Sequence, residues 1–181
     1  MKIEKIHHVA YRCHDAKQTV NWYVKNLKMD FVLAIAEDRV PSTGAKDPYI
    51  HVFLDAGNEN VLAFFELPTQ PPMGRDENTP EWVQHIAFKV KDMDTLLEFK
   101  DHLESNGVEV LGVTNHSVFH SIYFFDPNGH RLELAAPDSA EREKIDRLDQ
   151  VKWDMLEEWS KTKRAPKHAA WMHEDNFKAL D

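Results

Sequence analysis

Apolar and polar positions change their period several times along this chain, and the changes mark out its elements. Residues 6–13 alternate, with Ile6, His8, Ala10 and Arg12 on one face, which predicts a strand. Asp15 follows as a helix N-cap, and Val20, Tyr23, Val24 and Leu27 recur at helical spacing, so 16–27 reads as an amphipathic helix. Strands are predicted over 31–36, 49–54 and 60–67. The polar segment 37–48 separates the first two as a loop with two prolines and a glycine, and Asp55-Ala56-Gly57-Asn58 forms the next turn.

Residues 68–80 are rich in proline and read as a linker. The same order of elements then returns. A strand is predicted over 82–90, and Asp92 caps a helix over 93–105 that Asn106-Gly107 ends. Strands follow over 108–113, 121–125 and 131–135, with Asp126-Pro127-Asn128-Gly129 as a turn. The chain thus divides into a first module (3–67), the linker, a second module (81–137) and a C-terminal extension (138–181). Each module is β-α-β-β-β. The fold class is α+β: two tandem modules forming a curved, open mixed sheet, with a helical extension behind them. That extension is highly charged, and Ile145, Leu148, Met155, Leu156 and Trp159 predict a helix over 139–163 laid on the core or on a second subunit. Its tail carries Trp171 and Phe177, which suit docking.

The repeat is written into the residues themselves. His7-His8-Val9-Ala10-Tyr11-Arg12-Cys13-His14-Asp15 aligns with Gln84-His85-Ile86-Ala87-Phe88-Lys89-Val90-Lys91-Asp92, so that His8 meets His85, Ala10 meets Ala87 and Asp15 meets Asp92. Two copies of one strand carry a histidine at the same pleat.

Composition narrows the function. A formal net charge of −9 with no basic stripe argues against nucleic acid or an anionic membrane as partner. No apolar run approaches a bilayer span, and the first residues show no secretory apolar segment. The single cysteine, Cys13, excludes an internal disulfide and fits a reducing cytoplasm, where it serves as a small buried hydrophobe.

The last strand of each module closes on a Glu-Leu pair, Glu66-Leu67 and Glu133-Leu134. The wider interval from His8 to Glu66 is read as an insertion near 37–48. The inward pleat of two first strands and two last strands would present His8, Glu66, His85 and Glu133. Imidazole and carboxylate together suit divalent iron, manganese, nickel, cobalt or zinc, and two His with one carboxylate is the facial set of non-haem Fe(II) oxygenases. A carboxylate in a strand of Phe and Leu needs a partner, which a metal supplies. Glu66 is read as a fourth ligand or as a hydrogen-bonding support.

Three motifs make both modules resemble the vicinal-oxygen-chelate superfamily over about residues 3–137. They are His8-Val9-Ala10, His85-Ile86-Ala87-Phe88 and the run from Ser121 through Asp126-Pro127-Asn128-Gly129-His130-Arg131-Leu132-Glu133-Leu134. The superfamily includes glyoxalase I, methylmalonyl-CoA epimerase, extradiol ring-cleaving dioxygenases, fosfomycin-resistance thiol transferases and metal-free bleomycin-sequestering proteins. The resemblance implies that His8, His85 and Glu133 bind a metal, that the metal chelates two vicinal oxygens of a small substrate, and that the protein is a homodimer. Tyr123 matches a tyrosine that hydrogen-bonds the bound catecholate in extradiol enzymes. His116 and His120, near it in sequence, are candidate proton donors or acceptors; a strict pleat puts His120 on the face opposite Tyr123. His51 is a weaker candidate on a middle strand. Asn60 stands where extradiol enzymes carry a catalytic histidine, and it can orient oxygen but not transfer protons. Two reactions therefore remain open: Fe(II)-dependent ring cleavage, favoured by Tyr123 and an apolar lining from Phe53, Phe64, Phe88, Phe119 and Phe125, and a glyoxalase-like or epimerase-like isomerisation using Glu66 as ligand and base. A thiol transferase is disfavoured because Thr114–Phe119 lacks Lys and Arg, and a metal-free binding protein because the His8, His85 and Glu133 set is intact.

Overall fold

The computed structural model describes residues 2–172. The first module runs β1 (Val9–Cys13), α1 (Ala16–Leu27), β2 (Asp30–Arg39), β3 (Lys46–Asp55) and β4 (Val61–Glu66). The second runs β5 (Ile86–Lys89), α2 (Met93–Ser105), β6 (Leu111–Asn115), β7 (Phe119–Phe125) and β8 (Arg131–Pro137). Each builds one open, mixed four-stranded sheet, in the orders β1-β4-β3-β2 and β5-β8-β7-β6. The first strand of each pairs in parallel with the last, and the other neighbours are antiparallel.

Both helices start where the sequence places them. The Asp15 carboxylate accepts the Gln18 N–H at 2.7 Å, and Asp92 accepts the Thr95 N–H at 2.9 Å. Each cap satisfies a donor that the first helical turn leaves without a partner. The segment 37–48 is a correction. Most of it is a continuation of the β2–β3 hairpin, turning at Val40–Ala45, with an irregularity between Glu37 and Arg39. Both faces of this ribbon are exposed, so backbone pairing holds it without the apolar alternation that marks a half-buried strand. Pro48, which has no N–H to donate, falls within the irregular stretch.

One apolar core joins the modules. Tyr23, Leu54, Leu62 and Phe64 of the first pack with Leu96, Leu103, Ile122, Phe124, Leu132 and Leu134 of the second, all of them buried. The β7–β8 turn locks the seam. Tyr23 donates its hydroxyl to Asp126 at 3.0 Å, Asn128 accepts the His14 N–H at 2.9 Å, and His130 Nε2 donates to the Arg12 carbonyl at 2.7 Å. The sequence marked this segment as a turn and as part of a family motif. Its polar groups in fact reach across to β1 and α1. Cys13 is buried here as expected, and burial pushes its thiol up to about 11.

The extension forms α3 (Glu141–Thr162) and a short 3-10 turn (Lys167–Met172). No residue of α3 is buried, so it does not lie on the core of its own chain. It is tethered at its start by Lys144, which donates to Asp138 at 2.7 Å and to the Ser117 carbonyl, and by Glu141 on Lys89 at 3.2 Å. Trp171 docks under the Arg147 guanidinium, 4.0 Å from ring centroid to charge. Phe177 lies outside the described residues. No helix among them is long and apolar enough to cross a membrane.

Candidate metal and substrate site

Glu133 is the centre of the second sheet's polar cluster. Its neighbours in β8, Leu132 and Leu134, face the core, so the pleat turns Glu133 to the opposite, open face with Ala135 and Arg131. Only 3 % of Glu133 is exposed, and a buried carboxylate needs partners. It has two. The Ser121 hydroxyl donates to Oε1, and His85 Nε2 stands 2.9 Å from Oε2. His85 Nδ1 lies 3.1 Å from the Val83 carbonyl, which accepts its proton. That bond turns the Nε2 lone pair toward Glu133, as a backbone acceptor does behind a metal-bound imidazole. Two acceptors facing each other at this distance require a proton or a cation between them. Ligands to a first-row divalent ion sit roughly 2.0–2.2 Å from it, so two neighbouring ones are roughly 3 Å apart. The pair therefore fits such an ion.

Tyr123 is paired with Glu133 across the β7–β8 ladder and shares its face. Its hydroxyl is joined to His116 Nε2 by a 2.7 Å hydrogen bond, and its ring meets His85 edge-on at 6.0 Å. Burial, and then the Glu133 charge, raise the phenol above its ordinary range, so it keeps its proton at neutral pH. The Arg131 guanidinium lies 4.4 Å over the same ring. His120 is paired with Ala136 and points to the other face, because the bulge in this region is on β6, between Gly112 and Thr114, and leaves the pleat of β7 unbroken. It lies close enough to Asp138 to lower that carboxyl's pKa, after Lys144 and the Ala140 N–H.

The first module differs. His8 precedes β1 and contacts His7 (Nδ1 to Nδ1, 2.8 Å), with His51 and Phe53 each 5.8 Å away between ring centroids. His51 is stacked on Phe65 at 3.6 Å, and its buried Nε2 has no hydrogen-bond partner. Burial, and then His8, lower its pKa. His8 does not join His85 and Glu133. Among the described residues, no three His, Cys, Asp or Glu side chains converge as a metal site within one chain.

Glu66 does not stand where the sequence placed it. The ladders pair Ala10 with Ala63 and Ala87 with Glu133, so Ala63 is the first module's counterpart of Glu133. Glu66 lies three residues on, and its carboxylate accepts the Ala16 N–H at 2.7 Å, at the start of α1. The repeated Glu-Leu pair misled because a shift of three residues reverses the face in a strand. Asn60 lies in the β3–β4 turn, where its side chain donates to the Gly57 carbonyl at 2.9 Å. Phe64 is fully buried and Phe88 packs against the core, so neither lines the open face. Phe53 and Phe119 do touch the histidines, His8 and His116 respectively. Ser121 was missed. Its signal is its place two residues before Tyr123, hence on the same face, as a hydroxyl in an otherwise apolar strand.

A cavity of about 410 Å³ opens beside His85, between the modules and under the linker, with Tyr11, Arg75, His130 and Arg131 in its walls.

Comparison with known proteins agrees with this architecture. A curated Bacillus subtilis (strain 168) protein described as "Putative ring-cleaving dioxygenase MhqA" is 27% identical over 139 residues. The match takes in 75% of this chain but only 41% of that protein, so the chain spans about two-fifths of its relative's length. The glyoxalase family protein of Enterococcus faecalis is 27% identical with a TM-score of 0.54, over 75% of this chain and 99% of that one. A glyoxylase/bleomycin resistance protein/dioxygenase domain from Frankia sp. EAN1pec shares the fold at 18% identity and a TM-score of 0.60, over 76% and 100% of the two chains. The family model for the Glyoxalase/Bleomycin resistance protein/Dioxygenase superfamily matches residues 5–134, a span that reaches from the first module into the last strand of the second, and this chain belongs to that superfamily.

Proposed function

We propose that the protein is a metal-dependent vicinal-oxygen-chelate enzyme whose chemistry is ring cleavage of a catechol-type diol. His8, His85 and Glu133 are its protein ligands and Fe(II) its preferred ion, with manganese, nickel, cobalt or zinc as other occupants. The observation that carries this reading is the register of the first module: Ala63, and no carboxylate, stands opposite Ala10. Three protein ligands leave room for two substrate oxygens and O₂ together. A glyoxalase-like or epimerase-like isomerase needs the fourth ligand and base that Glu66, held by the α1 N-terminus, does not provide. The B. subtilis relative's description supports the same direction.

When bound, the ion supplies a Lewis acid that holds adjacent substrate oxygens and stabilises charge on them. The chain's own groups do the rest. Ser121 and the Val83 carbonyl fix the two ligands of the second sheet. Tyr123, protonated at neutral pH, donates to a substrate oxygen. His116, 2.7 Å behind it, gives or takes the proton that the hydroxyl exchanges. The aromatic face of His51, Phe53 and Phe65 excludes water beside His8.

His8 stands just before β1 of the first module and apart from His85 and Glu133 of its own chain, so the ligand set closes between two copies, each presenting His8 to the other's His85 and Glu133. This makes the functional unit a homodimer with isologous sites. Mixing His8→Ala and Glu133→Ala chains tests it. Hybrid dimers contain one intact set, and random exchange restores about a quarter of the sites. No recovery of bound metal in the mixture would place all ligands within one chain.

The reaction is tested by loading the protein anaerobically with Fe(II), adding a panel of catechols and admitting O₂. Ring-opened products and matching oxygen uptake are expected. Tight metal binding with no uptake for any diol would return the reading to an isomerase.

A further inference from the structure

Beside Glu133, Arg131 is a cation with no ion-pair partner among the described residues. It stands on β8 two residues before Glu133 and shares its face, with its guanidinium over the Tyr123 ring at 4.4 Å. Its Nε is buried and has no hydrogen-bond partner. No carboxylate among the described residues lies within ion-pair distance of it. The acids nearby are engaged elsewhere. Glu133 faces His85, Glu81 is paired with Arg75 at 2.9 Å, and Asp76 accepts the Thr79 hydroxyl and the Asn78 N–H. Arg131 also walls the cavity of about 410 Å³ that reaches His85. A partly buried guanidinium with an unused Nε–H and no carboxylate beside it, in a protein of net charge −9, calls for an anion of matching geometry.

We infer that Arg131 is the specificity-determining residue of the site and that the substrate carries an anionic group, a carboxylate in the simplest case, beside its vicinal oxygens. Cation–π stacking on Tyr123 fixes the guanidinium plane, so the anion is held at a set distance from the hydroxyl and from His85. This rests on the diol-chelating reading above for where the rest of the substrate lies, but not for the anion contact itself.

The test is calorimetric, on the full chain, with three probes: 3,4-dihydroxybenzoate, 4-methylcatechol and benzoate. Each is titrated with and without Mn(II), anaerobically, into the native protein, Arg131→Gln and Arg131→Lys. Native protein is expected to bind 3,4-dihydroxybenzoate roughly tenfold or more tightly than 4-methylcatechol, the scale of a charge-assisted hydrogen bond. Arg131→Gln removes that preference and the affinity for benzoate while leaving 4-methylcatechol within about threefold, and Arg131→Lys keeps part of it. Equal weakening of all three probes would reduce Arg131 to a support for Tyr123, and an unchanged preference in Arg131→Gln would overturn the proposal outright. Failure of the diol reading shows separately, as 4-methylcatechol and 3,4-dihydroxybenzoate gaining nothing from Mn(II) while the Arg131→Gln loss for benzoate stands.

Discussion

On the first sheet the residue opposite Ala10 is Ala63; on the second, the residue opposite the equivalent Ala87 is Glu133. The backbones are the same, with the same capped helix and the same parallel pairing of first and last strands. The open faces are not. Around Ala63 the first module presents stacked rings, His51, Phe53 and Phe65, with the His51 Nε2 left unpartnered. Around Glu133 the second presents a closed set of polar contacts from Ser121, His85, Tyr123 and His116. A duplicated module thus keeps its core face, which packing dictates, and is free to diverge on the face that packing leaves open. One copy carries a ring-lined face and the other a polar cluster.

The largest test of that division replaces the carboxylate. Glu133→Gln should lower metal affinity by more than about 100-fold, beyond the 10–100-fold expected for a supporting partner, as read by equilibrium dialysis with metal analysis. Glu66→Gln should leave metal uptake unchanged. If the two variants lose metal equally, the modules contribute symmetrically and the contrast fails.

Next in size is Tyr123→Phe, which removes the hydroxyl on His116. Turnover should fall about 100-fold or more while bound metal stays at the native level. A fall in metal content instead would make Tyr123 a support for the ligands.

Gly112→Ala probes what holds His116 in place. Gly112 sits at φ 111° in the β6 bulge, and a Cβ there would stand 2.7 Å from the Ser121 carbonyl. The substitution should cost more than about 1 kcal/mol, measured from the urea midpoint. Because the bulge leads into the loop carrying His116, turnover should fall further than stability alone accounts for.

Smaller still is the seam between modules. Burial, and then the Asp126 charge, hold the Tyr23 phenol well above its ordinary range. The folded protein therefore keeps that proton to higher pH than the unfolded chain does. Stability is full below the unfolded tyrosine value near about 10 and declines as pH rises past it. Tyr23→Phe should flatten that decline and cost about 1 kcal/mol at neutral pH, where Asp126 loses a donor. Glu66→Gln should cost a similar amount through the Ala16 N–H, with no pH signature at Tyr23.

Much of this was legible in the residues. Asp15 and Asp92 announce their helices because a cap is a local device, settled within one turn. His8 and His85 are visible as a pair because the repeat preserves their strand position. Ser121, Tyr123 and Glu133 follow from strand parity once the pairing of β7 with β8 is known. Glu66 was misread because its motif matched Glu133 in sequence and not in register. His116 could not be told from His120 as Tyr123's partner because nothing local says that the β6 bulge and the 115–118 loop fold it back onto Tyr123.

The sequence alone, then, determined the order of elements, the duplication and the segments that carry the candidate site residues, because periodicity and capping act over a few residues. Tertiary structure decided which glutamate shares a face with Tyr123, which histidine meets Tyr123, how the Asp126–His130 turn bolts the modules together and that Arg131 lies over the Tyr123 ring with its Nε–H unpartnered. Those outcomes depend on inter-strand register and on packing between distant segments, and a single chain read in one dimension carries no distance between them.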